Sequence, residues 1–233
     1  MTDTRHPLAD KTELRTFGRT KGKALSPYQQ GLMETLYPKI KIGEDPLAGL
    51  DDFDAVWFEI GFGGAEHLIW QAQQNPNTAC LGVEPFLNGV SKAVRGVDEH
   101  GLENLRVLQG DARDVLAVLP DESLSRLFIL FPDPWPKARH NKRRIINENL
   151  LAQVHRVLKP GSEFRFASDI IHYVDWALWR IKCFKSDEGG GFEMPHTDNA
   201  DWRIRPSDWC ETRYEAKAIR EGRPCHYFRF IRR

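Results

Sequence analysis

Between Asp54 and Lys185, short apolar runs alternate with longer stretches that are apolar on one side only. The runs 55–60, 78–83, 105–108, 124–131 and 163–167 are bounded by Gly, Pro and Asp, the pattern of strands buried on both faces. The stretches 66–74, 86–100, 111–119, 147–158 and 170–185 read as helices. Gly101 stands where a left-handed C-cap is favoured, and Lys159-Pro-Gly161 stops the helix before it. This alternation predicts an α/β domain with a doubly wound, mostly parallel sheet and helices on both faces. After Gly189-Gly-Gly191 comes a loop rich in Pro, His, Asp and Trp, then a helix over 211–221 and a last strand over 226–231 that adds to the sheet edge. Residues 1–50 show no clear periodicity and are assigned to a basic, partly flexible N-terminal arm, with the folded domain over 51–233.

Charge changes this picture locally rather than globally. The 233 residues hold 33 Lys and Arg against 33 Asp and Glu, so net charge selects no partner. The basic residues gather in 11–23, 137–144 and 213–233, and local patches are what bind polyanions. The segment Arg15 to Lys23 reads either as a solvated tail or as an arm that orders on a polyanion. Cys80, Cys183, Cys210 and Cys225 form no CxxC pair and no zinc-type spacing, so no metal is expected. The polar start and the lack of a spanning apolar run predict a soluble, cytoplasmic protein without a membrane contact.

Candidate chemistry collects at the carboxyl ends of the predicted strands, where open parallel sheets bind ligands. Glu59-Ile-Gly61-Phe-Gly63-Gly-Ala65 follows the first strand and opens a helix. Its glycines allow a tight turn and close approach of a ligand to the backbone. Glu84 ends the second strand, at a spacing suited to ribose hydroxyls, and Asp111 follows the third strand on the same rim. A nicotinamide dinucleotide and S-adenosylmethionine both fit that outline. A dinucleotide calls for glycine three positions after Gly63, where this chain has Glu66, an acid beside the would-be pyrophosphate. Glu59 suits the ammonium of S-adenosylmethionine, so the methyl donor is favoured.

The fourth strand runs into Phe131-Pro-Asp133-Pro-Trp135-Pro-Lys137, where alternate prolines cannot continue a ladder. This turn delivers a carboxylate and an indole to the rim. Asp133 reads as a site residue or as the cap of a rigid connector, and Trp135 as a base-stacking platform or a packed ring. Arg139, His140, Asn141, Lys142, Arg143 and Arg144 follow at once and suit phosphate contacts; the alternative is a solvated face. Thr212, Arg213, Tyr214 and Glu215 open the last helix, either to meet a purine edge or as a capping arrangement.

With these residues in view, the chain resembles the bacterial tRNA (guanine-N7-)-methyltransferase family over about 15–233. The most specific matches are Phe131 to Lys137 with the basic run after it, and Thr212-x-Tyr-Glu-x-Lys217; Glu59-Ile-Gly-Phe-Gly and Phe166-Ala-Ser-Asp169 support them. The resemblance implies a class I, S-adenosylmethionine-dependent fold with a seven-stranded sheet and an antiparallel C-terminal strand, acting on N7 of a guanine in the variable loop of tRNA. It implies donor contacts at Glu59, Gly61, Gly63, Glu84, Asp111 and Asp133, with Asp133 also catalytic. Substrate contacts fall at Lys137, Asp169 and Thr212 to Glu215, and tRNA backbone contacts at Arg139 to Arg144. Ala65 departs from the family pattern, which carries a third glycine there. The rival readings are a methyltransferase for another base, an RNA-binding protein with a vestigial cofactor pocket, and a dinucleotide oxidoreductase.

Overall fold

A computed structural model describes residues 20, 22–195 and 202–233; most of the basic segment 11–23 therefore lies outside the described residues. The strands are β1 (Ala55–Ile60), β2 (Thr78–Glu84), β3 (Leu105–Gln109), β4 (Leu124–Leu130), β5 (Leu158–Ser168), β6 (Phe192–Glu193) and β7 (His226–Arg232). The helices are α1 (Pro27–Thr35), α2 (Tyr37–Ile40), α3 (Glu66–Gln74), α4 (Leu87–His100), α5 (Ala112–Val118), α6 (Glu148–Val157), α7 (Ile171–Cys183) and α8 (Arg213–Arg220). The sheet order is β3-β2-β1-β4-β5-β7-β6. The first five strands pair in parallel, and β7 runs antiparallel against β5 with the two-residue β6 outside it.

Alternation along the strands sends side chains to two cores. Phe58, Leu81, Leu127, Ile129 and Phe164 pack beneath α5, α6 and α7. On the opposite face Cys80, Val107 and Phe62 meet α3 and α4, while Phe128, Ala167 and Tyr227 meet Trp209 and Ala218 of the α8 region. The order reverses between β1 and β4, since β2 and β3 build outward from one side of β1 and β4 restarts on the other. A crevice opens at such a switch point above the carboxyl ends.

Two departures concern segments read as irregular. The arm region contains α1 and α2: Ser26 caps α1, accepting from Gln29 N at 3.3 Å, while Gln29 Oε1 accepts from Ser26 N at 3.1 Å. None of the α1 residues is buried, which is why no apolar stripe marked it. Lys41 bridges Val107, so this region also covers the β3 edge of the sheet. The second departure is β5, which starts at Leu158 rather than 163 because Leu158 pairs with Leu124 before a register shift admits Lys159-Pro-Gly161.

Candidate active site

The β1–α3 loop is shaped by three left-handed residues, Gly61 at φ +72°, Gly63 at +55° and Ala65 at +66°. Ala65 is fully buried and begins α3 without a side-chain cap. Left-handed backbone costs about 1–2 kcal/mol for a residue with a Cβ, so the third position holds strain that a glycine would not. Gly61 N–H donates to Val83 O at 2.8 Å, and Gly63 N–H to Glu84 Oε2 at 2.8 Å. A side chain at Gly89 in α4 would strike the carbonyl oxygen of Gly63, so that glycine lets α4 and the loop meet backbone to backbone. Nothing in the sequence pattern distinguished Gly89 from any other helical glycine.

Glu84 is held twice, since its Oε1 also accepts from Phe86 N at 3.0 Å. A carboxylate has about four lone-pair sites, so two remain for a ligand's hydroxyls. Burial raises its carboxyl above the ordinary range; the two backbone donors oppose this, and the charges of Asp133 and Glu59 add smaller upward contributions. Asp111 caps α5 through Arg113 N, and its carboxylate also takes Arg113 Nε at 2.9 Å and Nη2 at 2.6 Å. Those bonds occupy much of a carboxylate's acceptor capacity, so Asp111 is more fully engaged than Glu84. Glu59 is buried, and its Oε2 lies 2.7 Å from His67 Nδ1.

Across the crevice, Phe131 N–H donates to Ala167 O at 2.8 Å, and the chain then leaves the sheet. Phe131 at φ +49° and Trp135 at +42° bracket the proline turn. Asp133 reaches solvent at the mouth of the crevice, and the partial desolvation there pushes its carboxyl above the usual range. Tyr214 closes the opposite side. Its ring stands over Gly63, where an added Cβ would be 2.8 Å from Cε2, and its hydroxyl is raised by burial first and then by the charges of Glu84 and Asp133. Arg213 lies over Gly64 and pairs with Glu66 of α3. The acid that argued against a pyrophosphate is thus part of a clasp between the glycine loop and α8.

The basic run forms a 3₁₀ turn over Ala138–Arg143. Lys137, Arg139 and Lys142 are exposed, and His140, Asn141 and Arg143 are half-buried. The Arg143 guanidinium lies 5.0 Å from the Trp135 ring centre, and His140 meets that ring edge-on at 5.9 Å. The His140 imidazole is pushed below its usual range, by desolvation first and then by Arg143, Arg139 and Lys137. Arg144 corrects the expectation of a continuous phosphate grip. Only 7 % exposed, it donates from Nε to Pro134 O at 2.9 Å and stacks over Trp176 at 4.7 Å and Tyr173 at 5.4 Å. Its position makes it a strut under the Asp133 loop.

The segment Thr212 to Glu215 divides in two. Thr212 Oγ1 accepts from Glu215 N at 3.2 Å, the capping bond. Glu215 is buried, and its Oε1 accepts from Arg205 at 2.9 Å and from the Tyr227 hydroxyl at 2.6 Å. Asp169, at the end of β5, accepts from Arg223 Nε at 2.7 Å. Arg205, Arg223, Glu215 and Tyr227 line one cavity of about 470 Å³, room enough for a nucleobase. Arg205 and Arg223 were not singled out beforehand, because only the fold brings them to these carboxylates.

A seven-stranded sheet of this order, with a glycine loop after β1 and an acid after β2, has the class I methyltransferase fold. A 16S rRNA methyltransferase, KamB, superposes with a TM-score of 0.56 at 17 % identity, covering 83 % of this chain and 95 % of the other. The aminoglycoside resistance methyltransferase NpmB1 gives 0.53 at 15 % identity, over 83 % and 95 %. Residues 54–228 match the family described as "Putative methyltransferase". The tRNA (guanine-N(7)-)-methyltransferase of Caulobacter vibrioides is 47 % identical over 214 residues, covering 91 % of this chain and 92 % of that one. The enzyme of that name from Brucella anthropi is 44 % identical over an alignment of 240 positions that covers the whole of both chains. The chain belongs to the tRNA (guanine-N7-)-methyltransferase family.

Among the described residues, no helix is long and apolar enough to cross a membrane, and no group of three or more His, Cys, Asp or Glu could hold a metal ion.

Proposed function

We propose that this protein transfers the methyl group of S-adenosylmethionine to N7 of a guanine in the variable loop of tRNA, in the cytoplasm. The observation that carries this reading is the crevice between β1 and β4, where Asp133 faces the glycine loop, Glu84 and Tyr214. The residues fit the donor. Glu84 has acceptor sites to spare for ribose hydroxyls, Gly61 presents backbone with open space above it, and Asp111 stands on the same rim beside the adenine end. Glu59 meets the ammonium, its Oε1 taking no hydrogen bond from the described residues. When bound, the sulfonium of S-adenosylmethionine supplies an electrophilic methyl group.

N7 of neutral guanine carries a lone pair and no hydrogen, so the enzyme needs no base to free the nucleophile. Its task is alignment, and holding reactants in line lowers the barrier by removing orientational freedom beforehand. Asp133 orients the purine and stabilises the positive charge that develops on it. Glu215, on the wall of the cavity and oriented by Arg205, and Asp169, oriented by Arg223, accept from the guanine's N1–H and amino group. The target base leaves its stack to reach this depth. Lys137, Arg139 and Lys142 hold the phosphates beside it, with Arg143 against Trp135.

The test is methyl transfer from labelled S-adenosylmethionine to bulk unmodified tRNA, with digestion and mass spectrometry of the product. 7-Methylguanosine from the variable loop is the expected nucleoside. A different methylated nucleoside, or no transfer despite donor binding, refutes the assignment.

A further inference from the structure

Behind the glycine loop a line of buried polar groups runs from Glu59, and beyond Glu59 itself the proposed reaction assigns none of them a role. Glu59, His67 and Gln71 are 4 %, 1 % and 2 % exposed. The His67 ring meets Phe128 edge-on at 4.7 Å and Trp209 at 5.9 Å. Polar atoms in such surroundings need partners, and here the partners fix the proton positions. The backbone oxygen of Asp208 can only accept, so the Gln71 atom 2.8 Å from it is the amide nitrogen. Asn75 Nδ2, itself oriented by donating to Gln71 O at 2.9 Å, donates to Gln71 Oε1 at 3.2 Å and pins the other end. The same Gln71 nitrogen lies 3.0 Å from His67 Nε2, which must therefore accept and carries no hydrogen. The ring hydrogen is on Nδ1, donated to Glu59 Oε2 at 2.7 Å.

The far end of this line is anchored as well. Asp208 Oδ2 accepts from Arg165 at 2.7 Å and lies 3.5 Å from Arg126, four residues before Thr212. We propose that His67 is a positioning residue: it fixes the Glu59 carboxylate for the donor's ammonium and, through Gln71 and Asp208, ties it to the segment presenting Thr212 to Glu215. This rests on the reading of Glu59 as the ammonium's partner. The amino-acid end of the donor and the base-recognition segment are then joined by one line of hydrogen bonds that diverges from the Gln71 amide, one hydrogen going to His67 and on to Glu59, the other to Asp208 O.

Two substitutions separate positioning from packing. In His67→Asn the amide nitrogen takes the place of Nδ1 and still donates to Glu59. In His67→Gln it takes the place of Nε2 and faces the Gln71 donor, leaving Glu59 without a partner. Gln is nearer to His in volume, so a purely structural role predicts that Gln is tolerated better. Calorimetric titration with S-adenosylmethionine and with 5′-methylthioadenosine, which lacks the amino-acid part, reads the difference. His67→Gln is expected to weaken S-adenosylmethionine about tenfold, as loss of one charge-assisted hydrogen bond implies, with methylthioadenosine unchanged. His67→Asn is expected to stay within about threefold of the parent for both, a difference below one such bond. Equal weakening of both ligands by His67→Gln, or Asn faring worse than Gln, overturns the proposal. Glu59→Gln is the control for the underlying reading. If it leaves the preference for S-adenosylmethionine intact, that reading fails and takes this one with it. If it abolishes the preference while His67→Gln does not, only the role of His67 is refuted.

Discussion

Replacing Arg144 by Ala should damage the active loop without touching RNA affinity through charge. Its Nε donates to Pro134 O at 2.9 Å, a bond from a charged donor worth about 1.5–3 kcal/mol. A second bond, from Nη2 to Trp135 O at 3.4 Å, is long and adds little. The faces of Trp176 and Tyr173 contribute cation–π attraction of about 0.5–2 kcal/mol together. These do not sum cleanly, and a loss of about 3 kcal/mol is a fair centre. In a domain of this size each kcal/mol moves Tm by about 2–4 °C, so differential scanning calorimetry should show a fall of about 6–12 °C. Methyl transfer should fall with it, because the loop that loses its strut carries Asp133. The comparison is Lys142→Ala, which removes an exposed charge from the same basic run. Lys142→Ala should leave Tm within about 1 °C and lower the slope of log Kd for tRNA against log salt by about 0.7–0.9. Arg144→Ala should leave that slope unchanged. A wild-type Tm for Arg144→Ala together with a reduced salt slope would refute the strut and return Arg144 to the phosphate grip.

Asp133→Asn should lower kcat about 10²-fold, the scale of losing one preorganised electrostatic group, with tRNA binding by filter assay unchanged. Because desolvation raises both Asp133 and Glu84, and the ionised carboxylates are the working forms, kcat/KM should fall as pH drops through a midpoint above the ordinary carboxylate range. A pH profile flat down to ordinary carboxylate values would contradict this. Gly89→Ala gains about 1 kcal/mol of helix propensity, but its Cβ meets the Gly63 carbonyl oxygen, and overpacking of about 1–3 kcal/mol offsets or exceeds that gain; donor affinity should drop more than tenfold by calorimetry, and Tm should not rise. An unchanged Kd for the donor would show that the loop tolerates displacement. Ala65→Gly relieves about 1–2 kcal/mol of left-handed strain but deletes a buried methyl worth about 0.8 kcal/mol and loosens the unfolded chain by about 0.4–1 kcal/mol. Denaturant titration should find the two proteins within about 1 kcal/mol of each other.

How much could be read before folding depended on where each signal resided. The five parallel strands were plain, because burial on both faces writes an apolar run into the sequence and turn residues bound it. Helix α1 was not, since none of its residues is buried and only Leu32 and Met33 lean on the core; its Ser26 to Gln29 capping box and Pro27 at the first helical position were the local marks it left. That Gly61, Gly63, Glu84 and Asp133 gather on one rim was legible because topology alone sends the ends of β1, β2 and β4 there. The fate of Arg144 depends on aromatic rings of α7 about thirty residues on, and nothing nearby in the chain separates it from Arg143. The pairing of Glu215 with Arg205 and Tyr227, and of Asp169 with Arg223, likewise exists only once β7 and α8 are docked.

The loop from Phe131 to Pro136 has a thermodynamic consequence of its own. Three of its six residues are prolines, whose φ is nearly as restricted in the unfolded chain as in the folded one. Ordering an average residue takes about 1–2 kcal/mol of conformational entropy, but much of that freedom never existed here. The carboxylate of Asp133 therefore sits on a segment with little disorder left to lose when ligands arrive. On the proposed reading, donor and guanine meet a group already in place, and affinity need not be spent on arranging it.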